Sequence, residues 1–229
     1  MSDTSKRKTA AELDDALRLL DHELSGLALD EPLAIRAIGG YALLKHGVRT
    51  GEHAYTVDID TVSRDYSAAV EAAIGRVAAQ LDLEPGWLNN DNVLDNDPEH
   101  VERMLDAEWI PQAMDLRNIA VSIASIPTLT RAKIMATEDA EFSGRQRDAD
   151  DLRALLDHQG ITSLKQFERT YPDPFEEYPS AHGVVRQHLG GGAPALTRSR
   201  FPELDDLRLD PYGLEDDDLV DDIGYESSR

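Results

Sequence analysis

A glycine pair between a short apolar run and a helix-like segment constrains this chain more than any other feature. Leu33 to Ile38 is apolar enough for a buried strand, Gly39-Gly40 follows it, and Tyr41 to His46 suits a short helix closed by Gly47. A second strand is expected from Tyr55 to Val62. Successive strand side chains point to opposite faces, so Val57 and Ile59 are expected in a core, with Asp58 and Asp60 together on the other side. Two carboxylates so placed can hold a hard divalent cation. The glycines let backbone N–H groups approach a phosphate at a helix N-terminus. Metal and phosphate together point to nucleotide chemistry.

Further elements flank this unit. Thr9-Ala10-Ala11-Glu12 fits a capping box, and Leu13, Ala16, Leu17, Leu20, Leu24 and Leu27 recur at helical spacing. Tyr66 to Leu81 reads as a second long helix with Val70, Ala73, Ile74, Val77 and Leu81 on one face. The asparagine-rich stretch Pro85 to Pro98 reads as a loop, and Glu108 to Leu116 and Asn118 to Ala124 as strands. Helices are expected from Ser125-Ile126-Pro127 through Thr137, from Arg147 to His158 and from Ser163 to Thr170. Strands first and helices afterwards predict an α+β protein: a core over residues 1–125 with a small mixed β-sheet and flanking helices, then a helical part over 126–189.

The tail over 190–229 is set apart by charge. From Phe201 to Arg229 there are eleven acids against Arg208 and Arg229, a composition that opposes autonomous folding, and Gly190-Gly191-Gly192 makes a flexible joint before it. Across the whole chain 45 acidic residues face 23 basic ones, a formal charge of −22, which argues against broad non-specific nucleic-acid binding. There is no cysteine, hence no disulfide or thiolate chemistry. No long apolar run or apolar leader is present, so no membrane partner and a cytoplasmic setting are expected, and the excess of arginine over lysine with abundant alanine points to a bacterial source.

A third group of residues joins the glycines and the two acids. Lys133 lies in the first of the later helices, and Arg145-Gln146-Arg147-Asp148 opens the next, with Asp151 four residues after Arg147 on the same face. In the order Gly39-Gly40, Asp58-x-Asp60, Lys133-x-x-Ala136 and Arg147-Asp148-x-x-Asp151-Leu152, these residues resemble the bacterial nucleotidyltransferase-like proteins grouped with AbiEii toxins, of the DNA-polymerase-β-type nucleotidyltransferase fold. The resemblance runs from about Leu33 to Leu156 and includes Arg49, Thr56 and Gly86-Trp87-Leu88-Asn89.

That resemblance implies a sheet of the nucleotidyltransferase type and transfer of a nucleotidyl group from a nucleoside triphosphate to a tRNA or protein acceptor, in a toxin with an antitoxin partner. It implies Mg²⁺ on Asp58 and Asp60, and triphosphate contacts from Gly39, Gly40, Arg145 and Arg147. Lys133 would neutralise a phosphate, with Asp148 and Asp151 completing the catalytic pocket. The alternative is a module of the same fold that binds nucleotide or partner without turnover. It draws on one departure from the pattern: the strand Asn118 to Ala124 lacks the third carboxylate, and Asp115 is the nearest acid.

Overall fold

The structure is a computed structural model and describes residues 6–91, 93, 96–143, 146–172 and 178–190, with side chains left aside at 139–143. These residues fall within one unit, Met1–Gly192. The acidic tail from residue 191 onward and Arg145 lie outside the described residues.

Helix α1 (Ala10–Leu24) starts where the sequence says it should. The Thr9 hydroxyl accepts from the Glu12 N–H, and the Glu12 carboxylate accepts from the Thr9 N–H at 2.7 Å. Its stripe of Leu13, Ala16, Leu17, Leu20 and Leu24 is fully buried. Strand β1 (Leu33–Ile38) runs directly into α2 (Gly39–Lys45), and a single 3₁₀ turn (Gly51–His53) leads toward β2 (Ile59–Thr61). Then come α3 (Ala68–Leu81), β3 (Leu88–Asn89), α4 (Pro98–Leu105), β4 (Trp109–Pro111) and β5 (Ile119–Ala124). Four helices follow: α5 (Ile126–Ser143), α6 (Gln146–His158), α7 (Leu164–Thr170) and α8 (Pro179–His188).

The five strands form one mixed sheet in the order β3-β2-β1-β5-β4. β1 lies parallel to β5 and antiparallel to β2; β2 is parallel to β3 and β5 antiparallel to β4. The α+β class with helices flanking a mixed sheet is therefore observed. Register decides which residues share a face. Ile38 stands opposite Asp60, and Arg36 opposite Ser122, so Asp60 shares its face with Arg36, Ile38 and Ser122. The alternate residues Ile35, Ala37, Ile59 and Ile123 join α1 and α3 in the main apolar cluster. A second cluster unites Ile134, Leu152, Leu156, Phe167 and Val185 from α5 to α8, while Leu129 and Leu155 of α5 and α6 belong to the first.

Several sequence expectations change. Val57 does not enter the core: it is 36 % exposed, because regular pairing begins only at Ile59. The strand expected over Tyr55 to Val62 shrinks accordingly, and Thr56 is instead held by the N-terminal segment, where Lys8 and Thr56 exchange both backbone hydrogen bonds at 2.7 and 2.9 Å. The strand expected over Glu108 to Leu116 is confined to β4, where Trp109 to Pro111 pair in register with β5 and the Gln112 N–H adds one bond to the Val121 carbonyl. Two helices, α4 and α8, and the short β3 lie outside the expected elements, although α4 carries an Asp97 N-cap, Pro98 in its first turn and Val101, Met104 and Leu105 at helical spacing. The glycine pair occupies the first turn of α2 rather than preceding it. Among the described residues no helix is long and apolar enough to cross a membrane.

Candidate functional site

Gly39 stands where β1 hands over to α2, with φ +69°. That left-handed conformation penalises any side chain, and the space is taken as well: a Cβ there would meet the Asp60 carboxylate. Gly40 has no positive φ, yet its absent side chain matters as much. A Cβ on it would lie 2.6 Å from Arg49 Nη1 and 2.9 Å from the Thr56 Cβ. The two glycines therefore let β2, its lead-in and the loop after α2 close onto one turn.

Asp58 and Asp60 meet this turn in different ways. Asp60 reaches Gly39 directly, whereas Asp58 accepts a hydrogen bond from the Thr56 hydroxyl at 3.3 Å, and Thr56 is the residue packed on Gly40. Burial raises the Asp58 carboxyl above the ordinary aspartate value, with the Thr56 hydroxyl and the charges of Arg147 and Arg49 pulling the other way.

Lys133 and the start of α6 close the site from the other side. Lys133 Nζ donates to Asp148 Oδ1 at 2.5 Å and lies 3.0 Å from Asp151 Oδ2. Asp151 also receives two bonds from Arg49, Nε to Oδ1 at 2.8 Å and Nη2 to Oδ2 at 2.6 Å. Arg49, Lys133 and Asp151 are 8 %, 8 % and 5 % exposed, so this is a buried ion cluster rather than a surface pair. Burial alone would raise the Asp151 carboxyl, but hydrogen bonds from Arg49 and the charges of Lys133 and Arg49 outweigh it and hold it below the usual range.

Arg147 is exposed and reaches the lead-in to β2. Its Nη2 donates to the Tyr55 carbonyl at 2.6 Å, and its guanidinium lies 4.7 Å from the centre of the Tyr55 ring, which Arg7 also approaches at 4.1 Å. Desolvation by these neighbours, then the like charge of Arg49, lowers the Arg147 pKa from its ordinary value. Gly39, Gly40, Asp58, Asp60, Lys133, Arg147, Asp148 and Asp151 are thus linked through direct contacts, with Thr56, Tyr55 and Arg49 between them. Arg145 is outside the described residues.

Arg49 received no role from the sequence, because its decisive partner lies 102 residues further along. Other residues resolve into structural parts. His46 Nε2 bonds the Ala124 carbonyl at 2.8 Å, Trp87 is fully buried with its indole N–H on the Ile74 carbonyl, and Tyr41 donates to Asp14 at 2.5 Å. Asp115 is exposed in the link between β4 and β5. Among the described residues, no three or more His, Asp or Glu gather as a metal-holding group.

Comparison with protein-family models, with curated proteins and with solved structures returns no match.

Proposed function

We propose that this chain is a nucleotidyltransferase-like protein that binds a Mg²⁺–nucleoside triphosphate between the glycine turn and Lys133, and transfers its nucleotidyl group to an RNA or protein acceptor, the α–β phosphoanhydride bond breaking to release pyrophosphate. The observation that carries this reading is the convergence just described. Motif residues separated by up to about a hundred positions are drawn onto one turn, where Asp60 packs on Gly39 while Arg49, bound to the partner of Lys133, packs on Gly40.

The residues present fit Mg²⁺ of this kind. Mg²⁺ retains water and commonly binds through one or two carboxylates plus the phosphates it accompanies, so two hard oxygen side chains are a sufficient protein share. Asp58 and Asp60 would hold it, and the ion would supply neutralisation of phosphate charge. Around them the chain provides cations of two kinds. Lys133 is a compact charge already fixed between Asp148 and Asp151. Arg147 is oriented by Tyr55 and keeps a solvent-facing surface for a phosphate oxygen. The missing side chains at residues 39 and 40 bring Asp60, Thr56 and Arg49 against the turn, so these groups would border the bound ligand.

The same site supports a second reading, a nucleotide-binding module without turnover. Strand β5 offers Ala120, Ser122 and Ala124 where a further carboxylate would complete the metal set, and Asp115 is exposed in the preceding link. No residue is thereby assigned as the base that takes the acceptor's proton. Both readings predict that Mg·ATP or another Mg–triphosphate raises the melting temperature of the full chain, and that Asp60→Asn abolishes the shift. Transfer of label from an α-labelled triphosphate to cellular RNA or protein separates them. No thermal shift with any of the four common triphosphates would refute both. The toxin role belongs to the first reading; growth arrest on expression, relieved by the product of an adjacent gene, is its cellular test.

A further inference from the structure

The proposed chemistry gives Arg49 nothing to do, yet its guanidinium touches more parts of the site than any other group described. Nε and Nη2 take both oxygens of Asp151, at 2.8 and 2.6 Å. Nη1 donates to the Tyr55 carbonyl at 3.2 Å and lies against Gly40. One planar group thus joins α6, the lead-in to β2 and the glycine turn.

The geometry points to Arg49 as a positioning residue: by fixing the Asp151 carboxylate at both oxygens, it sets where the Lys133 ammonium stands. Lys133 ends a flexible stem and faces two carboxylates three residues apart on α6, Asp148 and Asp151. An ammonium has no directional preference that would keep it on both. A two-point bond from Arg49 fixes the plane of Asp151 and leaves Oδ2 toward Lys133 at 3.0 Å. The same guanidinium, through Tyr55, holds the segment leading to Thr56 and Asp58 against Gly40. What Lys133 is positioned for, a phosphate of the bound triphosphate, rests on the function proposed above; the positioning itself does not.

A purely charge-balancing Arg49 would be replaceable by lysine, and a positioning one would not. The test is acylation of lysine amines on the full chain, read residue by residue by peptide mass analysis. Lys45, held by Asp14 at 2.8 Å, serves as the internal reference. In the native protein Lys133 should react slowly. In Arg49→Lys, which keeps the charge and loses the fork, Lys133 acylation should rise about ten-fold while Lys45 is unchanged. Asp151→Asn, which keeps the shape and loses the charge, should release Lys133 to a similar extent, and the double variant should add little. Unchanged protection of Lys133 in folded Arg49→Lys overturns the inference. So does a parallel loss of protection at Lys45, or global unfolding of both variants, since either makes Arg49 a general structural strut. No nucleotide enters this measurement, so failure of the native protein to bind Mg·ATP would count against the function alone.

Discussion

Replacing Gly39 by alanine separates two costs that the structure places on one atom. The first is backbone: at φ +69° an alanine loses roughly 1–2 kcal/mol relative to glycine. The second is contact, because the new Cβ would meet the Asp60 carboxylate, with the Asp60 Cγ 3.3 Å away. Asp60 can answer only by leaving its rotamer, at about 0.5–1.5 kcal/mol. The sum is roughly 1.5–3.5 kcal/mol, a large part of the stability of an ordinary domain. Gly47 provides the comparison: its φ is +71° and nothing lies within 4 Å of its would-be Cβ, so Gly47→Ala carries the backbone cost alone. Urea unfolding followed by circular dichroism should rank native, Gly47→Ala and Gly39→Ala in falling order of midpoint. In an Asp60→Ala background the cost of Gly39→Ala should fall to that of Gly47→Ala. Strict additivity of Gly39→Ala and Asp60→Ala would refute the contact on which the site is built.

Other outcomes follow from the same geometry. Asp58 has a raised pKa, so folding favours its protonated form, and the penalty sets in as pH climbs through the folded value. Asp58→Asn should therefore be more stable than the native chain at pH 7, while losing any stabilisation by Mg·ATP, both read in one thermal-shift series. Asp151 behaves oppositely: its lowered pKa contributes stability above the usual carboxylate range that is lost as pH falls through the depressed folded value. Asp151→Asn should thus flatten the acid side of the stability profile measured from neutral pH down to below the ordinary aspartate value. Thr9→Ala removes the N-cap of α1 and should cost about 1 kcal/mol in urea unfolding without altering nucleotide binding.

Local rules made much of this protein legible in its sequence. The capping box and leucine stripe of α1, the apolar face of α3 and the alternation in β5 each need only a dozen neighbouring residues, and each is present. So are the glycine pair at the end of β1 and the acids beside β2. Other parts were missed or misplaced. Val57 alternates correctly for a core residue, but strand pairing starts two residues later and leaves it in solvent. β3 exists because β2 offers it an edge to pair with, and β4 keeps only the part of its expected strand that pairs in register with β5.

The site divides in the same way. Residue types and order were enough to single out Gly39, Gly40, Asp58, Asp60, Lys133, Asp148 and Asp151, since chemistry depends on which groups are present. Sequence showed that the strand of β5 carries no further carboxylate, but it could not say that Asp60 would rest on Gly39 or that Arg49 would share Asp151 with Lys133. Those contacts span tens to more than a hundred residues, as with Arg49 and Asp151. Only closure of the parallel β1–β5 pair, which carries α5 and α6 back beside the glycine turn, brings such groups within hydrogen-bonding distance.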